Sequence, residues 1–259
     1  MDAKRSKAIR IALVCLAFAG TLALAMLSGR MQGALPALPL NVVAEAPTPT
    51  PTPVPTVPPK VAAKLDRALA RAKASLVLPG VEATVLFPDG SSWTGSLGLA
   101  DVAEKRTVRD TTPFAIASVT KTFTSALVLR YVDEGRLDLD DRIARWLPDW
   151  PNAKKITVRM LLNHTSGIPD FFQNPKFDAA LNKSKKKTWT VDDVLAGYVR
   201  PGVVFAPGKG WSYSNTNYVL LGLIAEKIGG APWHELVHRE LTDPLGLAST
   251  FVQAVDEPP

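Results

Sequence analysis

Ser118-Val119-Thr120-Lys121 places a hydroxyl and an amine three residues apart, which puts both on one face if the segment is helical. A serine is a poor nucleophile until something removes its proton, and a nearby amine that is neutral, or that passes the proton onward, does so. The bare pattern carries little weight, because a chain of this length contains about one S-x-x-K by chance. Ser184-Lys185-Lys186-Lys187 is such a decoy, set in a charged lysine run that reads as solvated loop. Ser118 instead opens an apolar-periodic run through Phe123, Leu127 and Val132 to Gly135, a helix with a glycine stop. At a helix N-terminus the serine oxygen sits where the dipole favours developing negative charge. A serine–lysine pair needs a third proton-handling group nearby. Trp211-Ser212-Tyr213-Ser214-Asn215 offers a phenol to relay a proton and an amide to hold a substrate carbonyl.

The elements that must position these groups are legible in outline. A helix from Val61 carries Leu65, Leu69 and Ala72 on one side. Val81 to Phe87 and Ser92 to Leu99 flank Pro88-Asp89-Gly90, an antiparallel hairpin signal. Helices are predicted at about 118 to 134, 157 to 163, 190 to 198, 216 to 228 and 232 to 241, with Thr190 and Asp193 in a capping arrangement. A hairpin followed by helices argues an α+β fold.

Four blocks taken together resemble the serine β-lactamase-related family of class C β-lactamases, D,D-peptidases and esterases. They are Phe114 to Lys121, Leu137-Asp138-Leu139-Asp140-Asp141, Leu161-Leu162-Asn163-His164-Thr165-Ser166-Gly167-Ile168, and Tyr213 to Tyr218. They stand in family order, and the resemblance runs roughly from residue 61 to 252. It implies a β-lactamase/transpeptidase-like fold, a helical region plus an antiparallel sheet. It implies Ser118 as the acylated nucleophile, Lys121 and Tyr213 as the acid/base pair, and Asn215 as a substrate-binding amide. The expected reaction is hydrolysis of an amide or ester (β-lactam, D-Ala-D-Ala peptide or small ester) through an acyl-enzyme, with no cofactor and no metal. The family's third motif, K-T-G or H-x-G on a C-terminal strand, does not occur before Pro259. The resemblance therefore implies a domain lacking C-terminal sheet strands and one oxyanion-hole donor. Such a donor is worth about a hundredfold or more in rate. On this reading the chain is a fragment or an impaired product, and the rival function is a membrane-tethered penicillin- or peptidoglycan-binding domain without turnover.

The charge of +6 over 259 residues is unevenly spread. Lys4, Arg5, Lys7, Arg10, Arg30 and Lys60 face only Asp2 and Glu45 in the first 60 residues, a local excess of +4. That excess is a targeting signal and no indication of nucleic acid, since Lys183 and Lys185 to Lys187 lack interleaved aromatics. The basic residues precede an apolar stretch from Ile11 to Leu27, which reads as a signal-anchor or signal peptide over residues 1–30. The expected location is the cell membrane, single-pass, with the catalytic domain outside the cytoplasm. Cleavage near Ala23-Leu24-Ala25 would make it secreted or periplasmic. Residues 31–60 are a Pro/Thr-rich linker, nine prolines falling between 36 and 59, and form a stiff polyproline spacer. Residues 61–259 are the hydrolase domain. The lone Cys15 excludes an internal disulfide, and nothing in the sequence fixes an oligomeric state.

One motif names a different class of enzyme. His234-Glu235-Leu236-Val237-His238 matches H-E-x-x-H, the zinc-peptidase pattern. Pro232 and Asp243-Pro244 confine its helix, and no convincing third ligand follows in the few remaining residues, so it stands as the remote alternative.

Overall fold

A computed structural model describes residues 55–256, apart from 185, 186 and 254. The apolar N-terminal segment and most of the proline linker lie outside the described residues. Among those described, no helix is long and apolar enough to cross a membrane.

Helix α1 spans Pro59–Ser75 and starts two residues before the expected Val61. Proline suits the first helical position, where its missing N–H would have no partner. The helix lies on the sheet through buried Leu69 and through the Trp93 Nε1–H, which donates to Asp66 at 3.0 Å. Strands β1 (Gly80–Leu86) and β2 (Ser92–Asp101) pair antiparallel, from Gly80 opposite Gly98 to Leu86 opposite Ser92. Their turn is closed by Asp89 Oδ1, which accepts from the Ser91 N–H at 2.9 Å and the Ser91 hydroxyl at 2.7 Å. A third strand, β3 (Arg106–Thr107), extends the order to β1-β2-β3, where the sequence suggested two strands. At two residues, with a register shift between Leu99 and Asp101, β3 is too short to show a period-2 pattern.

The rest is helical. A 3-10 turn, Ala117–Val119, runs into α2 (Thr120–Asp133), so Ser118 precedes the α-helix instead of opening it. Helix α3 (Val158–Leu162) is capped by the Thr157 hydroxyl. Helix α4 (Pro175–Lys183) was not anticipated, because its burial rests on Phe177 and its remaining faces are polar. Helix α5 (Val191–Tyr198) has the expected Thr190–Asp193 capping box. Helix α6 (Asn215–Gly229) stops at Gly230, whose left-handed φ of 72° glycine adopts without strain. Helix α7 (Trp233–Val237) passes into a π-helical turn, His238–Thr242, where one continuous helix was expected.

The main core joins α2 to α6. Leu127, Val128 and Tyr131 of α2 meet Leu220, Leu221 and Ile224 of α6, with Leu161 of α3 and Leu236 of α7, all fully buried. Spacings of three and four residues put each set on a single helix face. A second cluster, Phe171, Phe177 and Val194, is bordered by edge-on rings of Trp189 and Tyr198 beneath α4 and α5. The α2–α6 packing sets the start of α2 beside the start of α6, and the candidate site lies there.

Candidate active site

Ser118 is exposed, and the turn that presents it begins with Ala117 at φ +45°, a conformation non-glycine residues seldom adopt. One turn further on, the half-buried Lys121 extends its ammonium back toward the serine, with Nζ 3.2 Å from Ser118 Oγ. From the other side of the core, the segment leading into α6 brings the Tyr213 hydroxyl to 2.8 Å from the same oxygen. Lys121 Nζ also donates to Asn215 Oδ1 at 2.7 Å and lies over the Tyr213 ring, 4.8 Å from its centroid. The four residues singled out from sequence thus form one hydrogen-bonded group, across separations of 94 and 95 positions.

Burial raises the Tyr213 phenol, but the Lys121 ammonium and the Ser118 hydroxyl together outweigh it, and its pKa falls below the ordinary tyrosine value. A lowered phenol gives up its proton more readily and is better matched to exchanging one with a serine near neutrality. Lys121 holds its place through Asn215, and Asn215 is in turn held by Asp170. The nearly buried Asp170 carboxylate accepts from the Asn215 backbone N–H at 3.1 Å and from Asn215 Nδ2 at 3.2 and 3.1 Å. With Nδ2 committed to a carboxylate, the Asn215 carbonyl can only face Lys121. The Asp170 loop is pinned to α6 by Thr216, whose hydroxyl donates to the Pro169 carbonyl at 2.7 Å and accepts from the Phe171 N–H at 3.2 Å.

Asp170, which the fold sets against Asn215, was passed over in the sequence. It follows Gly167-Ile168-Pro169, where P-D reads as an ordinary turn, and no spacing rule links it to Asn215. Ser166 and Gly167 are buried in that same turn. Gly167 has φ +76°, and a Cβ there would overlap the Phe205 carbonyl oxygen.

The decoy serine, Ser184, ends α4 as its C-cap, and Lys187 of that pattern pairs with Asp193 at 3.3 Å. The H-E-x-x-H segment brings no ligand set together. Both ring nitrogens of His238 are engaged, Nδ1 with Thr242 at 3.1 Å and Nε2 with Asp256 at 2.7 Å. Among the described residues no three His, Cys, Asp or Glu side chains converge on a metal position.

A helical body with a small antiparallel sheet, bearing a Ser-x-x-Lys pair against a Tyr-x-Asn pair, defines the β-lactamase/transpeptidase-like class of fold. A Beta-lactamase family model matches residues 65–259, and the chain belongs to that family. It is 35% identical over 175 residues to penicillin-binding protein 4* of Bacillus subtilis (strain 168), covering 65% of this chain and 37% of that protein. It is 32% identical over 208 residues to esterase EstB of Burkholderia gladioli, covering 76% and 53% respectively. The D-amino acid amidase of Ochrobactrum anthropi SV3, complexed with L-phenylalanine, superposes with a TM-score of 0.64 at 34% identity. That match covers 77% of this chain and 52% of the amidase. The chain thus spans about a third to a half of the length of these relatives.

Proposed function

We propose that the protein is a serine hydrolase that cleaves an amide or ester through an acyl-enzyme on Ser118. One observation carries the reading: Ser118 Oγ lies within hydrogen-bond reach of both Lys121 Nζ and Tyr213 Oη. In the first step Ser118 Oγ bonds to the substrate carbonyl carbon while the Lys121–Tyr213 pair takes its proton. The pair returns that proton to the leaving amine or alcohol as the C–N or C–O bond breaks. Water then attacks the acyl-serine by the same route in reverse. Asn215, held by Asp170, positions Lys121. The relatives named as a penicillin-binding protein, an esterase and a D-amino acid amidase support a substrate among β-lactams, D-amino-acid-containing peptides and small esters. The basic N-terminus, apolar stretch and proline spacer support an exported domain tethered to the membrane.

The test is covalent labelling with a fluorescent penicillin or fluorophosphonate, followed by peptide mapping. The expected adduct is on Ser118, lost in Ser118→Ala and kept in Ser184→Ala. Labelling that persists in Ser118→Ala overturns the assignment. A Ser118 adduct that forms but never turns over selects the binding-domain alternative. For the export proposal, an intact N-terminus on soluble cytoplasmic material after fractionation would refute it.

A further inference from the structure

His164 lies between the two halves of the site, and the mechanism above does not use it. Its ring stacks on Tyr213 with centroids 4.6 Å apart and borders Tyr218 at 5.3 Å. Its backbone carbonyl accepts from the Ser212 N–H at 3.1 Å, and its ring Nδ1 accepts from the Ser214 N–H at 3.2 Å. One residue therefore grips the main chain immediately before and immediately after Tyr213, and supports the phenol ring between those two points. His164 holds a left-handed φ of +63° in this arrangement.

The hydrogen bonds fix which nitrogen carries the proton. A backbone N–H only donates, so the Ser214 N–H requires a lone pair on Nδ1, and the ring is neutral with its hydrogen on Nε2. A buried relay agrees with this. The Ile168 N–H donates to Ser166 Oγ at 3.1 Å, and Ser166 donates to Asn217 Oδ1 at 2.7 Å. The Asn217 amide is thereby turned so that Nδ2 points at His164 Nδ1, 3.3 Å away.

We infer that neutral His164 is a positioning residue that clamps Tyr213 against Ser118, and that protonating its ring releases the clamp and slows acylation. Protonated Nδ1 would confront two donors, Ser214 N–H and Asn217 Nδ2–H, with no acceptor. The charged and titratable groups around the ring are Lys121 from α2, Asp170 from the adjoining turn, and Tyr213 and Tyr218. Burial first and the Lys121 ammonium second depress the imidazole, against a smaller opposing pull from Asp170. Because the folded pKa is lowered, the clamp is intact above the ordinary histidine value and fails as pH falls through the depressed one.

The inference rests on the acyl-enzyme reading for its kinetic consequence, and the test separates the two. Nitrogen-15 NMR of the ring in the intact protein reads the tautomer without any reaction. The expected signature is an unprotonated Nδ1 and a protonated Nε2 at neutral pH; a protonated Nδ1 overturns the inference even if Ser118 is labelled. The second arm compares His164→Asn with His164→Gly by the rate of Ser118 labelling against pH. Both replacements tolerate the left-handed backbone, but only asparagine retains an acceptor for the Ser214 N–H. His164→Gly is expected to slow labelling about tenfold to a hundredfold, the scale of a misplaced catalytic group, with probe affinity unchanged. His164→Asn is expected to restore most of that rate and to lose the acid-side fall seen in the parent. Equal rates for the two variants, or an acid limb that survives in His164→Asn, overturn the clamp. Absence of labelling in the parent protein counts against the acyl-enzyme reading alone, and the NMR result then decides the clamp.

Discussion

Replacing Asp170 by asparagine tests whether the carboxylate orients the site or only fills space beneath it. The side chain keeps its size and one carbonyl oxygen, so the bonds from the Phe172 and Asn215 backbone N–H groups have a counterpart. The second oxygen becomes an NH2 group that faces Asn215 Nδ2, where the parent has a 3.1 Å bond. Two donors then meet, and one hydrogen bond to a charged acceptor is gone, which is worth about 1.5–3 kcal/mol. If Asn215 turns over to escape, its own NH2 faces Lys121 and the ammonium loses its anchor. Expressed fully in the acylation barrier, that loss slows the reaction about 10- to 150-fold. A second effect opposes it, since removing the Asp170 anion lets the Tyr213 phenol fall further and favours its proton-accepting form. Misplacement of Lys121 should outweigh this, because a lower phenol pKa helps only a correctly placed serine. The assay is stopped-flow labelling of Ser118 by a fluorescent penicillin, with urea unfolding to confirm that Asp170→Asn remains folded. A folded Asp170→Asn protein that labels within twofold of the parent would refute the claim that this carboxylate sets the geometry.

Three further substitutions probe the frame of the site. Gly167→Ala drives a Cβ into the Phe205 carbonyl oxygen at a φ that alanine resists; we expect a loss of at least about 2 kcal/mol, read as a lower urea midpoint. Ala117→Gly removes the penalty of a left-handed alanine, about 1–2 kcal/mol, and should raise the melting temperature while loosening Ser118 and slowing its labelling. Thr190→Ala breaks the capping box of α5 and should cost about 1 kcal/mol in urea unfolding, with labelling of Ser118 unchanged.

What the sequence disclosed depended on whether the information was local. The hairpin was legible because Pro88-Asp89-Gly90 and its apolar flanks lie within one short window. Ser118 could be told from Ser184 because one opens an apolar-periodic run and the other sits among lysines. The chemistry of the Ser118–Lys121 pair called for a third proton-handling group and made Tyr213 and Asn215 candidates, but only the family resemblance tied the four together, since no local rule joins residues more than 90 positions apart. Asp170 and His164 escaped for that same reason. Their roles exist only once the 164–170 turn is folded against the start of α6. Helix α4 and strand β3 escaped for a different one. Their burial falls on too few side chains to leave a periodic trace.

The two halves of the site touch only because α2 and α6 share a core, and that gives Ser118 a use unrelated to catalysis. A reactive centre assembled from the ends of two distant segments exists only in molecules whose central helices are docked. Covalent capture of Ser118 in a denaturant series therefore counts docked molecules one at a time, whatever the peripheral hairpin is doing. Compared with an optical signal averaged over all the helices, the fraction captured isolates the disassembly of the α2–α6 pair. A midpoint below the optical one would identify that pair as the first part of the protein to come apart.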